Sequence, residues 1–184
     1  MSNPAQPNEA ALPKDSALLR CSGGTITLPS MPLLSREDGG HLWVNPPRRI
    51  WERSELNPIE LMHWSFLIAA TAQAMLDALP QLAGGCINYW EAGNWALNDC
   101  AEPVGPKNPK THRQVHMHLL GRNPKAKHPD WRWGESPRFP DFVHAKTWAA
   151  SFELLTSTEC QAIVKKTRVL LVEKYGLQRS LLMA

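Results

Sequence analysis

The chain has 184 residues, of which 43% are apolar and 20% charged, and its formal net charge is +3 at pH 7. That length and composition describe one ordinary globular domain with an added segment and exclude fibrous and low-complexity classes. A charge this small falls short of a nucleic-acid-binding surface, so no nucleic-acid partner is expected; it suits an anionic small molecule equally well. Four cysteines, Cys21, Cys86, Cys100 and Cys160, are widely spaced without a CxxC pair. Free thiols of a reducing compartment fit that spacing better than a disulfide framework or a structural zinc. The first residues carry neither a basic start nor an apolar run, and no stretch reads as a membrane crossing. The sequence thus predicts a cytoplasmic protein with no membrane partner.

Residues 1–17 are rich in Pro, Asn and Ala without periodicity and read as a disordered tail. Thr25–Leu28 alternates β-branched residues, as a short strand does. Asp38-Gly39-Gly40 is turn chemistry, His41–Asn45 reads as a strand, and Pro46-Pro47 ends it. Asn57-Pro58-Ile59-Glu60 opens a helix as N-cap, first-turn proline and capping-box glutamate. Leu61, Trp64, Leu67, Ile68, Met75 and Leu79 then follow helical spacing as far as Pro80, which predicts a core helix. Cys86–Glu91 has strand composition, residues 93–112 form a long polar loop, and residues 112–122 read as a strand. Residues 123–142 are irregular, and Trp148–Leu154 fits a strand by alternation and a helix by its alanines. Thr156 and Glu159 form a second capping box, opening a helix that stops at Gly176.

Gln114-Val115-His116-Met117-His118-Leu119 is the strongest local signal. Side chains alternate across a strand, so Gln114, His116 and His118 share one face, joined by His112 if the strand starts early. Val115, Met117 and Leu119 take the opposite face and point to the core. Imidazoles on one face and hydrophobes on the other mark a site rather than packing.

Gln114–Arg122, QVHMHLLGR, resembles the histidine-triad signature His-φ-His-φ-His-φ-φ, with φ apolar, continuing into Leu-Gly-Arg. Gln114 stands where that pattern has its first histidine. Upstream, the run from Asp38 to Ile50 resembles the superfamily's early strand, and a helix starting Asn-Pro-Ile-Glu follows it. The resemblance covers roughly Leu33 to Arg122, with a tryptophan-containing stretch afterwards similar to the Hint-type branch.

The resemblance implies a fold and a chemistry. The fold is α+β, an antiparallel sheet of about five strands with one long helix, spanning 18–122, plus a C-terminal extension over 123–184 with a second helix. His116 matches the nucleophile that forms a nucleotidyl-histidine intermediate, and His118 matches the phosphate-contacting histidine. His41 matches a histidine packed beside the triad, Thr111 stands where the Hint-type branch has a serine near the phosphate, and Asn88, Asn94 and Asn98 are candidates for its phosphate-binding asparagine. The expected catalytic set is therefore His116, His118, Gln114 and His41. No cofactor is implied, and the expected partners are a nucleotide-type small molecule and a second copy of the chain.

Gln114 departs from the pattern: an amide orients a neighbour by hydrogen bonding but does not titrate. The loop holding Lys107 and Lys110 is also longer, and these read as solvated lysines. Trp131-Arg132-Trp133 offers nucleobase stacking, although aromatic anchors for an irregular segment are the favoured reading. Two rivals stay open. A His-x-His pair on a strand also begins some metal sites, but no carboxylate follows His118 within reach. A triad with glutamine in its first place also fits a nucleotide binder without turnover.

Overall fold

The protein, described as a computed structural model, is seen over residues 15–178. Five strands form one antiparallel sheet: β1 (Ser16–Cys21), β2 (Gly24–Leu28), β3 (His41–Asn45), β4 (Cys86–Ala92) and β5 (His116–Arg122), in the order β1-β2-β3-β5-β4. Four helices accompany them: α1 (Pro58–Ala78), α2 (Pro109–His112), α3 (Ala145–Ala149) and α4 (Ser157–Glu173). The architecture is α+β with one long helix on a five-stranded sheet, as expected.

The long helix begins where its local chemistry dictates. The Asn57 side chain accepts from the amides of Ile59 and Glu60 at 3.0 and 2.9 Å, and the Glu60 carboxylate accepts from the Asn57 amide at 3.0 Å. All three donors are ones that a bare helix end leaves unpaired. Thr156 and Glu159 repeat the arrangement at the start of α4. Inward residues of α1, among them Trp64, Leu67 and Met75, pack against Leu42, Val44 and Leu119 of the sheet and against Ile163 and Leu171 of α4. Each such side chain contributes about 1.5–3 kcal/mol through burial. The core thus runs continuously from the sheet through α1 to α4, past the end of the motif-bearing region.

A second, smaller cluster lies on the sheet's other face: Leu33, Leu34, Leu120 and Trp131, with Trp90, Trp95 and Phe139 packed against it. Trp131, only 1% exposed, is an anchor for the segment after β5, whereas Trp133 is 47% exposed. The turn before β3 and the end of β5 approach so closely that only glycine fits: a Cβ on Gly121 would lie 2.2 Å from the Gly39 carbonyl oxygen. Gly39 itself has φ 136°, which disfavours any side chain.

Several sequence expectations are corrected. The expected tail, 1–17, overlaps β1, because Ser16 and Ala17 pair with Leu28 and Thr27; residues 1–14 lie outside the described residues. The strand around the histidines starts at His116, not at 112, since Pro109–His112 closes a helical turn capped by Asn108. Of Trp148–Leu154, Trp148 and Ala149 end the short helix α3 and the rest is turn and irregular chain, so the segment as a whole is neither strand nor helix. The expectation that no stretch is long and apolar enough to cross a membrane also fails by length and composition: α1 has 21 residues and a window of mean hydropathy 1.2. Its apolar side is spent on the core just described.

Candidate active site

β3 and β5 pair in a register that sets Trp43 opposite His118 and His41 opposite Leu120, and β4 adds Trp90 opposite His118. Paired residues share a face, so His41, Trp43, Trp90 and His118 meet on the side away from α1. His116 lies two residues before His118, on the same face. The result is a cavity of about 380 Å³ lined by His116, His118, Gln114 and Asn94 and walled by Trp43, Trp90 and Trp95.

Backbone groups settle how the three imidazoles are protonated. The Leu33 amide donates to His41 Nδ1 at 3.1 Å, so that nitrogen is an acceptor. A neutral His41 then carries its proton on Nε2, which lies 2.8 Å from His118 Nδ1 and donates to it. His118, accepting at Nδ1, carries its own proton on Nε2, facing the cavity. His116 is set the opposite way. Its Nδ1 lies 3.0 Å from the Gln114 carbonyl oxygen, which only accepts, so Nδ1 bears the proton and Nε2 keeps its lone pair. The cavity is thereby offered one nucleophilic nitrogen and one N–H donor from rings whose centroids are 4.6 Å apart.

Burial keeps these rings neutral. Desolvation pushes His41 down to about 3 and His118 well below the ordinary histidine value. His116 is also lowered, chiefly by burial; its bond to Gln114 acts the other way and the Arg113 guanidinium adds to the lowering. Trp43 meets His116 edge-on at 5.0 Å and His118 at 5.8 Å, and Trp90 stacks on His118 at 5.0 Å. No lysine or arginine lines the cavity among the described residues. Arg113 is the cation beside it, held by Glu52 at 2.8 Å and by the Asn94 side-chain oxygen at 3.1 Å.

The residues singled out in the sequence divide cleanly. His116, His118 and Gln114 line the cavity, and His41 reaches it through His118. Gln114 precedes the strand and is exposed; its carbonyl, rather than its amide side chain, orients His116. Of the asparagines, Asn94 lines the cavity. Asn88 sits near the far end of β4, paired with Leu120, and Asn98 organises the loop by accepting from the Cys100 amide and Lys107. Thr111 is exposed and bonds to Asn108 and His112 at 3.1 and 2.8 Å, away from the lining. Lys110 lies 5.7 Å over the Trp51 ring. Asn45, Trp43 and Trp90 are lining residues that sequence reasoning passed over. The signal for two of them was there: Trp43 and Asn45 follow His41 at strand spacing. Among the described residues, no three His, Cys, Asp or Glu side chains are grouped to hold a metal ion.

No family profile and no curated protein matches the sequence. Solved structures of related layout are found among histidine-triad proteins. One, a histidine triad (HIT) protein from Sinorhizobium meliloti 1021, is 20% identical over 83% of this chain and 90% of that one, with a TM-score of 0.43. A hypothetical histidine triad nucleotide-binding protein from Sulfolobus tokodaii strain7 is 14% identical over 79% and 81%, with a TM-score of 0.41. A histidine triad protein from Bradyrhizobium japonicum is 14% identical over 87% and 99%, with a TM-score of 0.43. Likeness at this level concerns backbone layout and transfers no residue's role.

Proposed function

We propose that the chain is a nucleotide hydrolase or nucleotidyl transferase of histidine-triad type, in which His116 forms a covalent nucleotidyl-histidine intermediate. One observation carries this reading: the Gln114 carbonyl accepts from His116 Nδ1–H and leaves Nε2 unprotonated in the cavity, beside the Nε2–H of His118. In the first step His116 Nε2 bonds to phosphorus as the bond to the leaving group breaks. The imidazolium formed is stabilised through Nδ1–H on the Gln114 carbonyl. His118 Nε2–H donates to the atom on which negative charge develops. Water or another acceptor then attacks phosphorus, its proton passing to solvent, as the bond to Nε2 breaks and His116 leaves neutral.

Charge narrows the substrate. The three imidazoles are neutral, and the lining holds no lysine or arginine among the described residues but two carboxylates, Asp15 and Glu91. One phosphoryl group with a single negative charge fits such walls; several buried phosphates without cations do not. The indoles of Trp43 and Trp95 offer apolar surface to a nucleobase. The substrate class is therefore a nucleoside monophosphate bearing one leaving group, such as a phosphoramidate, in preference to a dinucleoside polyphosphate. As the motif resemblance implies, the protein works without a cofactor and as a homodimer.

The test is turnover by the full chain of adenosine 5′-phosphoramidate against diadenosine tetraphosphate. The reading predicts cleavage of the first with a higher kcat/KM. Binding of both with cleavage of neither would assign the cavity to a non-catalytic binder, and a stoichiometric metal on His116 and His118 would assign it to metal chemistry.

A further inference from the structure

The segment after β5 reads in sequence as an irregular, proline-rich run, yet it ends against the reactive histidines. Phe139 stacks on Trp90 with ring centroids 4.4 Å apart and planes 29° apart. Trp90 stacks on His118 at 5.0 Å and 25°, and His118 lies edge to edge with His41, the planes 20° apart and the ring nitrogens joined at 2.8 Å. Three rings thus form a continuous pile that starts in the added segment and ends on β5, where His41 of β3 is hydrogen-bonded to the last of them. Trp131 braces the outermost ring, meeting Phe139 edge-on at 5.4 Å.

The anchor for this segment comes from the strand that carries the histidines. Arg122, the last residue of β5, is 4% exposed, lies 5.5 Å over the Trp131 ring and donates through Nη2 to the carbonyls of Arg132 and Glu135 at 2.6 and 3.0 Å. β5 therefore presents the imidazoles at one end and folds the segment back with the other.

A hydrogen bond at Nδ1 fixes one point of the His118 ring, while the torsion that sets its plane is broad for histidine. The ring is held at one edge by His41 and on one face by Trp90. His41 is buried and tied to the Leu33 amide, so that edge is rigid. Trp90 is half-buried on the edge strand β4, and Phe139 covers its outer face. We propose that Phe139 is a positioning residue of this site: by clamping Trp90 from outside, it holds the His118 imidazole in the plane at which its Nε2–H meets the reacting phosphoryl group. The proposal rests on His118 acting as that donor.

Phe139→Leu keeps most of the volume and removes the ring; Phe139→Tyr keeps the ring. Trp133→Ala removes an exposed aromatic of the same segment as a control. Thermal unfolding of each variant separates loss of fold from loss of positioning. With adenosine 5′-phosphoramidate, Phe139→Leu is expected to lower kcat about tenfold with KM nearly unchanged, while Phe139→Tyr and Trp133→Ala keep parental values. In the ligand-free full chain, nitrogen-15 NMR of the imidazoles should show the His118 signals displaced in Phe139→Leu. Its titration should move to higher pH as water reaches a ring that burial had kept neutral beside His41 and His116. Parental kcat in a folded Phe139→Leu, or unchanged His118 signals, would overturn the proposal. The NMR arm needs no turnover, so an inert parent protein would sink the functional reading alone and leave the ring pile to be judged by the spectra.

Discussion

On β5, Met117 and Leu119 point to α1, while His116 and His118 point away from it into the cavity. The two sets are interleaved in sequence, yet they answer to different physics. On the helix side, contacts are apolar and non-directional, so volume and burial decide what fits. On the cavity side, each imidazole Nδ1 has an assigned partner: a backbone amide for His41, His41 for His118, a backbone carbonyl for His116. One face holds the strand in place, and the other uses that fixed strand to set proton positions.

Exchanging damage between the two faces breaks the comparison most sharply. His116→Ala is expected to cost three or more orders of magnitude in kcat/KM, with stability unchanged to within about 0.5 kcal/mol. Kinetics and urea unfolding of the same sample check both halves. Leu119→Ala should do the reverse: stability falls by about 2–5 kcal/mol through the cavity left in the core, while turnover per folded molecule stays within about twofold of the parent. A large kinetic loss in Leu119→Ala without unfolding would mean that the faces are not separable.

The helix side was the more legible in the sequence. Helical spacing from Leu61 to Leu79, the two capping boxes and the alternation of Val115, Met117 and Leu119 are local signals, and each leads to an element or a buried side chain that is there. The histidine pair was legible by the same alternation. What escaped depended on register and on contacts across the chain. Trp90 became part of the site because β4 pairs with β5 opposite His118, and no local pattern specifies a pairing register between distant strands. β1 was hidden because its N-terminal end adjoins a run of Pro and Asn, and its partner β2 supplies the evidence for it only in space. Gln114 was assigned an orienting amide, but its peptide carbonyl does the orienting, a role open to any residue.

Acid sharpens the comparison further, because the cavity face carries the buried imidazoles of β3 and β5. Unfolded, His41 titrates near the ordinary value of 6.5, and folded it titrates near 3. Its folded value is depressed, so the stability tied to its neutral burial is complete above 6.5 and is lost as pH falls towards 3, at up to about 1.4 kcal/mol per pH unit. Urea midpoints between those limits should fall with pH in the parent and fall less in His41→Asn. Because His116 is also lowered by burial, the acid limb of kcat/KM should lie below 6.5.

The smallest effect is expected at Gln114. Its backbone carbonyl survives any substitution, so Gln114→His should change kcat/KM by less than about threefold, measured with adenosine 5′-phosphoramidate. A gain of tenfold or more, worth about 1.4 kcal/mol in the barrier, would mean that the side chain at that position carries a proton the present chain lacks.

The central claim is that His116 Nε2 bonds to phosphorus. Rapid quenching of the full chain with adenosine 5′-phosphoramidate, followed by peptide mass spectrometry under conditions that preserve phosphoramidate bonds, reads this directly. The account predicts an adenylyl group on the peptide holding residues 114–122, localised to His116 and absent from His116→Ala. Steady turnover with no adduct on that peptide, or an adduct that persists in His116→Ala, would contradict it.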